Sequence, residues 1–295
     1  MPNDWLRANF SNTKNMGDIG TRITTGIFFI IIMIGGVVLS EYSFLVLFSL
    51  LVVLCINEYH GVIHSLLASS SKWKKTYKII NTVFSVLIFG IVFLVASNKI
   101  PLISLSLVCG FPLTWLVIEM YTKSEKPFYN VCLNSMAIFY IAIPLASASL
   151  LAFHAGEYSW HYLLAIMVFA WTNDSWAYLS GRFLGKHKLF ERISPKKTWE
   201  GFFGGMIATI VIAYIVYLLF PKWTGYSVSL TTYIVLAIIT SISSTYGDLA
   251  ESMIKRNLQI KDTGTALPGH GGFLDRFDGL IFSLPACTLY LTFFL

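Results

Sequence analysis

Residues 202–220 read FFGGMIATIVIAYIVYLLF, a run of 19 residues without a charged side chain. A helix needs about 20 predominantly apolar residues to cross the hydrocarbon core of a bilayer. This stretch therefore predicts a transmembrane helix.

Runs of the same kind recur along the whole chain of 295 residues, which is 56% hydrophobic and only 12% charged. Soluble domains carry about 25% charged residues, so the composition excludes a disordered chain and a soluble nucleic-acid-binding domain, despite the net charge of +6. We expect no nucleic acid among the partners. The pattern predicts an all-α polytopic membrane protein with nine spans, at 23–40, 43–67, 79–97, 101–121, 131–153, 159–179, 202–220, 228–247 and 279–295.

The positions of the basic residues predict the orientation of these spans. If the N-terminus is cytoplasmic, the inner segments hold 19 of the 21 lysines and arginines, and the outer segments hold only Lys99 and Lys222. Cytoplasmic loops carry such an excess of Lys and Arg. We therefore expect a cytoplasmic N-terminus and a C-terminus outside, in a multi-pass protein of a bacterial inner or cell membrane.

The acidic residues are concentrated in the second half of the chain. Eight of the 15 Asp and Glu residues fall between positions 174 and 278, and the two longest hydrophilic segments, 180–201 and 248–278, both lie on the predicted inner side. We expect a single integral membrane domain over 1–295. Residues 1–157 are expected to be mainly scaffold helices, and 158–295 the catalytic half with its site at the cytoplasmic face.

The segment 248–278 combines carboxylates and cations at helical spacing. Asp248 and Ser252 lie at i, i+4 on one helix face, and Asp275 and Asp278 lie at i, i+3. Mg²⁺ prefers carboxylate, phosphate and water oxygens, whereas Lys and Arg hold phosphate charge. The grouping favours a site for a divalent ion and phosphates, although a set of surface ion pairs would also fit the spacing.

The segment 173–201 supports the functional reading. Asp174 lies near the inner end of the sixth span, where an ionisable group is costly and usually functional. Further along, Ser194 is predicted to cap a helix that has Pro195 at its first position and two lysines in its first turn. Exposed amides, a hydroxyl and two lysines form a good anion site, although a basic loop that only fixes topology remains the alternative.

The two segments together resemble the signature of the phosphatidate cytidylyltransferases (CDP-diacylglycerol synthases). The first block of the resemblance contains Asn173-Asp174, Gly181-Arg182 and the run Ser194-Pro195-Lys196-Lys197-Thr198-Trp199-Glu200-Gly201. The second contains Ser252, Lys255-Arg256, Lys261-Asp262, His270-Gly271-Gly272, Asp275-Arg276 and Asp278. The likeness is specific over 173–278 and looser elsewhere.

The resemblance implies transfer of a cytidylyl group from CTP to phosphatidic acid, giving CDP-diacylglycerol and pyrophosphate. It also implies a homodimer among membrane lipids, Mg²⁺ held by Asp248, Asp275 and Asp278, and a second, monovalent cation (K⁺). The implied catalytic residues are Asp174, Asp248, Ser252, Asp275 and Asp278. The implied substrate-binding residues are Ser194, Lys196, Lys197, Thr198, Lys255, Arg256, Lys261, Asp262, His270, Gly271, Gly272 and Arg276.

Two other functions and two smaller questions stay open at this point. A CTP-dependent polyprenol or lipid kinase would share similar loops, and a secondary transporter would share many spans and intramembrane acids. His60 and His64 lie at i, i+4 and could bind a metal, although without a matching third ligand a polar helix end is the favoured explanation. Glu58 and Glu119 could be either pocket walls or helix-packing partners.

Overall fold

The computed structural model describes residues 24–224, 228–260, 262–264 and 271–294. For residues 222–224 it describes the backbone alone. Within these ranges the chain forms nine helices and one two-stranded hairpin. The helices are α1 (Thr24–Val38), α2 (Glu41–Ile63), α3 (Ser71–Ala96), α4 (Ser106–Thr122), α5 (Pro127–Ala152), α6 (His161–Leu184), α7 (Trp199–Thr224), α8 (Leu230–Asn257) and α9 (Leu274–Phe294).

Two of the helices contain or follow a short stretch that is not α-helical. A 3₁₀ turn, Leu102–Leu105, leads into α4, and α5 contains a π-helical segment at Ile138–Ala142. The strands of the hairpin are β1 (Lys188–Phe190) and β2 (Ser194–Thr198).

The chain is a predominantly helical, multi-pass membrane protein. Seven of the described helices, all except α1 and α6, are long and apolar enough to cross a bilayer. The helix α1 is apolar but shorter, and the second half of α6 carries Asn173, Asp174 and Arg182. Each of the nine predicted spans coincides with a helix, while their number as spans stays a prediction.

Large apolar side chains face both the core and the outside of the bundle. A bilayer solvates exposed Leu, Ile and Phe, and a helix satisfies its own backbone hydrogen bonds there. In the most apolar stretch of α4 and its leading 3₁₀ turn, 11% of the residues are buried. In the corresponding stretch of α5, 67% are buried. Thus α4 lies at the periphery of the bundle, and α5 lies in its interior.

One continuous cluster of buried hydrophobic residues runs through the bundle, from Met33 on α1 to Leu291 on α9. In the first half α2 packs on α3, and α3 packs on α5. In the second half α6 packs on α7, and α8 packs on α9. The last helix, α9, also packs on α5 and α2, so it joins the two halves.

The helices α8 and α9 approach closely at Gly247. A Cβ atom added there would lie 2.3 Å from the carbonyl oxygen of Asp278. Such close backbone contact requires glycine and is typical of helix packing in membranes. It brings the turn that carries Asp248 against the turn that carries Asp278.

The prediction that Ser194 caps a helix is wrong. Ser194 and Pro195 belong to β2, which pairs antiparallel with β1 in the register Lys188↔Thr198 and Phe190↔Ser194. The helix α7 begins only at Trp199, and the Thr198 hydroxyl caps it by accepting the Gly201 amide at 3.1 Å. The backbone hydrogen-bonding groups of 194–198 pair with β1 instead of forming a helical turn. Lys196 and Lys197 therefore lie on a strand and not in a first helical turn.

Candidate active site

A cavity of about 720 Å³ lies where α6, α8 and α9 meet the hairpin and the start of α7. Five carboxylates and six cationic side chains line it, beside a few apolar and aromatic groups. The carboxylates are Asp174, Asp248, Glu251, Asp275 and Asp278. The cations are Arg182, Lys188, Lys196, Lys197, Lys255 and Arg276.

The first ion pair of the site joins the hairpin to α8. The Lys197 ammonium lies 2.7 Å from a carboxylate oxygen of Asp248, and it also donates to the Thr245 carbonyl at 3.4 Å. The Ser252 hydroxyl donates to Asp248 at 3.2 Å, which confirms that these two side chains share a helix face. Asp248 keeps 41% of its side-chain surface exposed, so part of it remains open to the cavity.

The second ion pair joins α8 to α9. Lys255 lies 2.7 Å from Glu251, one helical turn earlier, and 2.8 Å from Asp275. All three side chains are largely buried, with exposed fractions of 14%, 2% and 10% respectively. Burial in a medium of low dielectric strengthens these attractions and also makes an unpaired charge costly.

The start of α9 holds Asp275 by backbone amides as well. Its carboxylate accepts the Gly272 amide at 2.8 Å and the Thr263 amide at 3.0 Å. One turn on, Asp278 is buried and accepts the amide of Gly279 at 2.6 Å. The two carboxylates predicted at i, i+3 therefore both line the cavity.

Two buried oxygen atoms at the cavity lack a hydrogen-bond partner among the described residues. They are Oε1 of Glu251 and Oδ1 of Asn173. A buried polar atom without a partner costs about 1–3 kcal/mol, so Oε1 of Glu251 favours a bound cation or water beside it, whereas Oδ1 of Asn173 packs against Gly205 of α7. The Asn173 amide nitrogen is fixed separately, because it donates to Ser244 on α8 at 3.1 Å.

The cations of the hairpin are held over the cavity by Glu200 near the start of α7. Its carboxylate accepts the backbone amides of Lys186 and His187 at 3.1 and 3.2 Å, and it pairs with the His187 ring at 2.6 Å. These contacts fix the base of the hairpin. The strands present Lys188, Lys196 and Lys197 to the cavity, and Lys197 is held further by Asp248.

The arrangement suits the binding of polyanions beside a divalent cation. Within the described residues, no three His, Cys, Asp or Glu side chains form a preformed metal site. Mg²⁺ is commonly held by one or two carboxylates, with substrate phosphates and waters completing the coordination. A hard-oxygen donor set that faces six cations is consistent with that chemistry.

Comparison with known proteins assigns the family. The model of the "Cytidylyltransferase family" matches residues 20–294, which is nearly the whole chain. The chain belongs to this family. The resemblance seen in the sequence signature is thereby confirmed.

Several relatives carry the name phosphatidate cytidylyltransferase. The protein of Staphylococcus saprophyticus subsp. saprophyticus is 34% identical over 194 residues, covering 66% of this chain and 70% of that protein. The protein of Haemophilus influenzae is 35% identical over 208 residues, covering 68% and 72%. The match to the Staphylococcus haemolyticus protein reaches 38% identity over 171 residues but spans only 62% of that protein.

This member of the cytidylyltransferase family brings most of the predicted site residues to the cavity. The predicted residues that line it are Asp174, Asp248, Asp275, Asp278, Lys196, Lys197, Thr198, Lys255 and Arg276. Lys261 and His270 lie outside the described residues. The other predicted residues, Ser194, Ser252, Arg256, Asp262, Gly271 and Gly272, do not line the cavity.

Some of these remaining residues act on neighbours of the cavity. Ser252 and Gly272 bind Asp248 and Asp275 as described above. The Arg256 guanidinium donates to the carbonyl of Ile193 at the hairpin turn, at 3.5 Å. Asp262 is exposed.

The site prediction missed Glu251, although a signal was present in the sequence. Glu251 follows Asp248 by three residues and precedes Lys255 by four, so helical spacing places it between them. Thr245, Tyr178, Lys188 and Phe202 also line the cavity without having been predicted. These four side chains carry no pattern that separates them from ordinary helix or loop residues.

The two open questions about the first half of the chain have structural answers. Glu119 is a packing partner, because it bonds the Tyr77 hydroxyl, the Thr122 hydroxyl at 2.9 Å and the Asn130 amide at 3.4 Å. His60 is buried against Asn81 at 2.8 Å, and it belongs to no metal-binding group among the described residues. Glu58 instead reaches the start of α9.

Proposed function

We propose that this chain transfers the cytidylyl group of CTP to phosphatidic acid, with release of pyrophosphate. The observation that carries the proposal is the cavity at the helix ends, lined by six cations and five carboxylates, in a chain of the cytidylyltransferase family. The names of the relatives supply the two substrates.

The chemistry asks mainly for charge neutralisation and alignment. A phosphate oxygen of phosphatidic acid attacks the α-phosphorus of CTP and forms a new P–O bond. The bond from the α-phosphorus to the oxygen shared with the β-phosphate breaks, and pyrophosphate leaves with that oxygen. The attacking oxygen is already ionised at neutral pH, so no side-chain base is needed. Positioning and electrostatic stabilisation dominate catalysis of this kind.

The cations of the cavity have distinct places in this scheme. Lys196 and Lys197 on the hairpin and Arg276 on α9 face the same space and would bind phosphate oxygens. Lys197 is held by Asp248 and is therefore already oriented before the substrate arrives. Tyr178, near the end of α6, and Phe202, near the start of α7, supply aromatic surface at the same cavity.

The proposal includes Mg²⁺ held by Asp248, Asp275 and Asp278, and a monovalent cation such as K⁺. The unpartnered Oε1 of Glu251 at the same cavity supports a bound cation. When bound, Mg²⁺ would neutralise charge on the reacting phosphates. In this chain, Lys197 and Lys255 form ion pairs with Asp248 and Asp275, and backbone amides donate hydrogen bonds to Asp275 and Asp278.

The orientation and assembly complete the proposal. All nine helices cross the membrane, with the N-terminus and both hydrophilic segments on the cytoplasmic side. The 19-to-2 distribution of lysines and arginines supports this arrangement, and the cavity residues all fall within or beside segments of that side. The protein is proposed to be a homodimer on the family resemblance alone, which native mass spectrometry in detergent would test.

Two positions of a radioactive label in CTP distinguish the possible functions. With purified protein, phosphatidic acid and Mg²⁺, label at the α-phosphate should enter a CDP-lipid, whereas label at the γ-phosphate should leave as pyrophosphate. With a lipid alcohol supplied in place of phosphatidic acid, a CTP-dependent lipid kinase would instead transfer the γ-label to that alcohol. Failure to incorporate either label would reject the proposal and leave a transporter as the alternative.

A further inference from the structure

The side chain of Glu58, on α2, reaches across the bundle to the start of α9. Its Oε1 accepts the Phe273 amide and its Oε2 accepts the Leu274 amide, both at 2.8 Å. The Thr263 hydroxyl adds a longer hydrogen bond at 3.4 Å. One carboxylate of the scaffold half therefore holds two successive amides of the catalytic half.

These amides need an acceptor from outside the helix. The first four N–H groups of any helix lack intrahelical partners, and a Ser, Thr, Asp or Asn at the cap position usually binds one of them. The residue before α9 is Phe273, whose side chain cannot accept a hydrogen bond. Glu58 acts as the cap by accepting these amides, and its negative charge interacts favourably with the positive end of the helix dipole.

The backbone is shaped to admit the Glu58 carboxylate. A Cβ atom added at Gly272 would lie 2.5 Å from Oε2 of Glu58. The same Cβ would lie 2.6 Å from the Thr263 hydroxyl oxygen and 2.9 Å from the Gly264 amide nitrogen, so any side chain at this position would crowd the Glu58 carboxylate together with this neighbouring backbone. The close approach requires glycine at 272.

The same short segment also holds Asp275. The Gly272 and Thr263 amides bind Asp275, while the next two amides and the Thr263 hydroxyl bind Glu58. Asp275 faces the cavity, whereas Glu58 does not line it. Successive amides at the start of α9 are thus bound by two carboxylates, of which one lines the cavity and the other does not.

We propose that Glu58 is a positioning residue for the active site. It fixes the start of α9 against α2 and thereby sets the direction in which Asp275 and Asp278 face the cavity. The kinetic part of this inference rests on the proposed function, whereas the structural part does not.

Hydrogen exchange tests the structural part without any substrate. In Glu58→Gln the side-chain carbonyl can accept one of the two amides, and the NH₂ group cannot accept the other. Peptides that cover 271–276 in the detergent-solubilised full chain should exchange at least about tenfold faster than in the wild type. Glu41→Gln, at the opposite end of the same helix, should leave these amides unchanged, because Glu41 contacts Lys99 there.

Steady-state kinetics with CTP and phosphatidic acid test the positioning part. For Glu58→Gln we expect kcat to fall at least about tenfold and the half-saturating Mg²⁺ concentration to rise several-fold. The KM for CTP should stay within about threefold, because Glu58 is not a cavity residue. Gly272→Ala, which crowds Glu58 from the other side, should give the same kcat and Mg²⁺ changes.

Glu119→Gln separates positioning from loss of stability alone. This variant weakens another buried carboxylate of the scaffold half, whose hydrogen bonds within the described residues go to Tyr77, Thr122 and Asn130 and not to α9. It should lower the Tm while kcat of the folded protein stays near the wild-type value.

The proposal is overturned if exchange at 271–276 does not change in Glu58→Gln. It is also overturned if Glu58→Gln behaves like Glu119→Gln, with a lower Tm and an unchanged kcat. A wild-type protein that makes no CDP-lipid would reject the proposed function instead, and the exchange result would still decide whether Glu58 holds α9.

Discussion

Lys255 contacts two acidic side chains, Glu251 and Asp275, and this shared pairing lets carboxylates gather around one cavity. Like charges in a medium of low dielectric repel strongly unless a cation lies between them. Lys197 serves Asp248 in the same way. Each lysine thus stabilises the site and also brings a positive charge to where phosphates would bind.

Asp275 and Asp278 are expected to act as one unit. Asp275→Asn and Asp278→Asn should each lower kcat at least about 100-fold, the scale of one lost electrostatic contact in a catalytic site. The double variant should lose far less than the product of the two effects, because residues that act together are not additive. Measuring kcat against Mg²⁺ concentration checks this, with the exposed Glu157→Gln as the control.

Normal Mg²⁺ activation in one of the two single variants, at unchanged expression, would remove that aspartate from the proposed metal site. An additive double variant would show instead that the two carboxylates act separately.

Lys197 is expected to contact a substrate phosphate. Lys197→Ala should reduce kcat/KM for CTP or for phosphatidic acid by about 10- to 100-fold, since a hydrogen bond to a charged group contributes about 1.5–3 kcal/mol. Lys72, exposed near the start of α3 and away from the cavity, provides the matched control. Equal losses in Lys72→Ala and Lys197→Ala would contradict a specific role for Lys197.

At the scale of whole elements, the helices in the second half of the chain are longer than the apolar spans predicted from the sequence. The predicted spans 159–179, 228–247 and 279–295 correspond to the longer helices α6, α8 and α9. The polar extensions of α8 and α9 carry Asp248 and Asp275, whereas Asp174 lies within the predicted sixth span, near its inner end. Within the described residues, the candidate site is therefore built from the ends of helices and from one hairpin.

The contact between α8 and α9 at Gly247 sets the distance between two of these ends. In Gly247→Ala the new methyl group would meet the Asp278 carbonyl, and overpacking of this kind costs about 1–3 kcal/mol. We expect a lower Tm in detergent and a loss of activity larger than the Tm change explains. Gly90→Ala, on α3, has open space around its Cβ and should leave both quantities unchanged.

If Gly247→Ala retains full activity, the spacing of these two helix ends does not matter for the reaction. A comparable effect from Gly90→Ala would indicate general sensitivity of the bundle to substitution.

The sequence allowed the helices to be predicted because a bilayer imposes a length and a composition on each span. Asp248 and Ser252 were predictable for a similar reason, since helical spacing is local. The hairpin was not predictable, because Ser194-Pro195 also fits a helix start and only its pairing with 188–190 decides against it. The contact of Glu58 with Phe273 joins residues 215 positions apart, and no local pattern records it.

At the scale of the whole molecule, the uneven distribution of basic residues predicts which side of the membrane holds the site. Single cysteines at Glu191 and Asn257, in a chain without its four native cysteines, should react with an impermeant reagent only from the cytoplasmic side. Both positions are exposed, as is Glu157, which should react only from the outside. Labelling of Glu191→Cys or Asn257→Cys in intact cells would reject the nine-span arrangement.

The contact between Glu58 and α9 also bears on the order in which the protein is made. Chains leave the ribosome from the N-terminus, and their parts fold as they emerge. Glu58 is synthesised early, whereas its partner Leu274 follows 216 positions later. Until α9 enters the membrane, a nascent chain can pack its scaffold but cannot set Asp275 and Asp278 in place. Chemistry on nucleotides is thereby withheld from nascent chains that have not yet inserted α9.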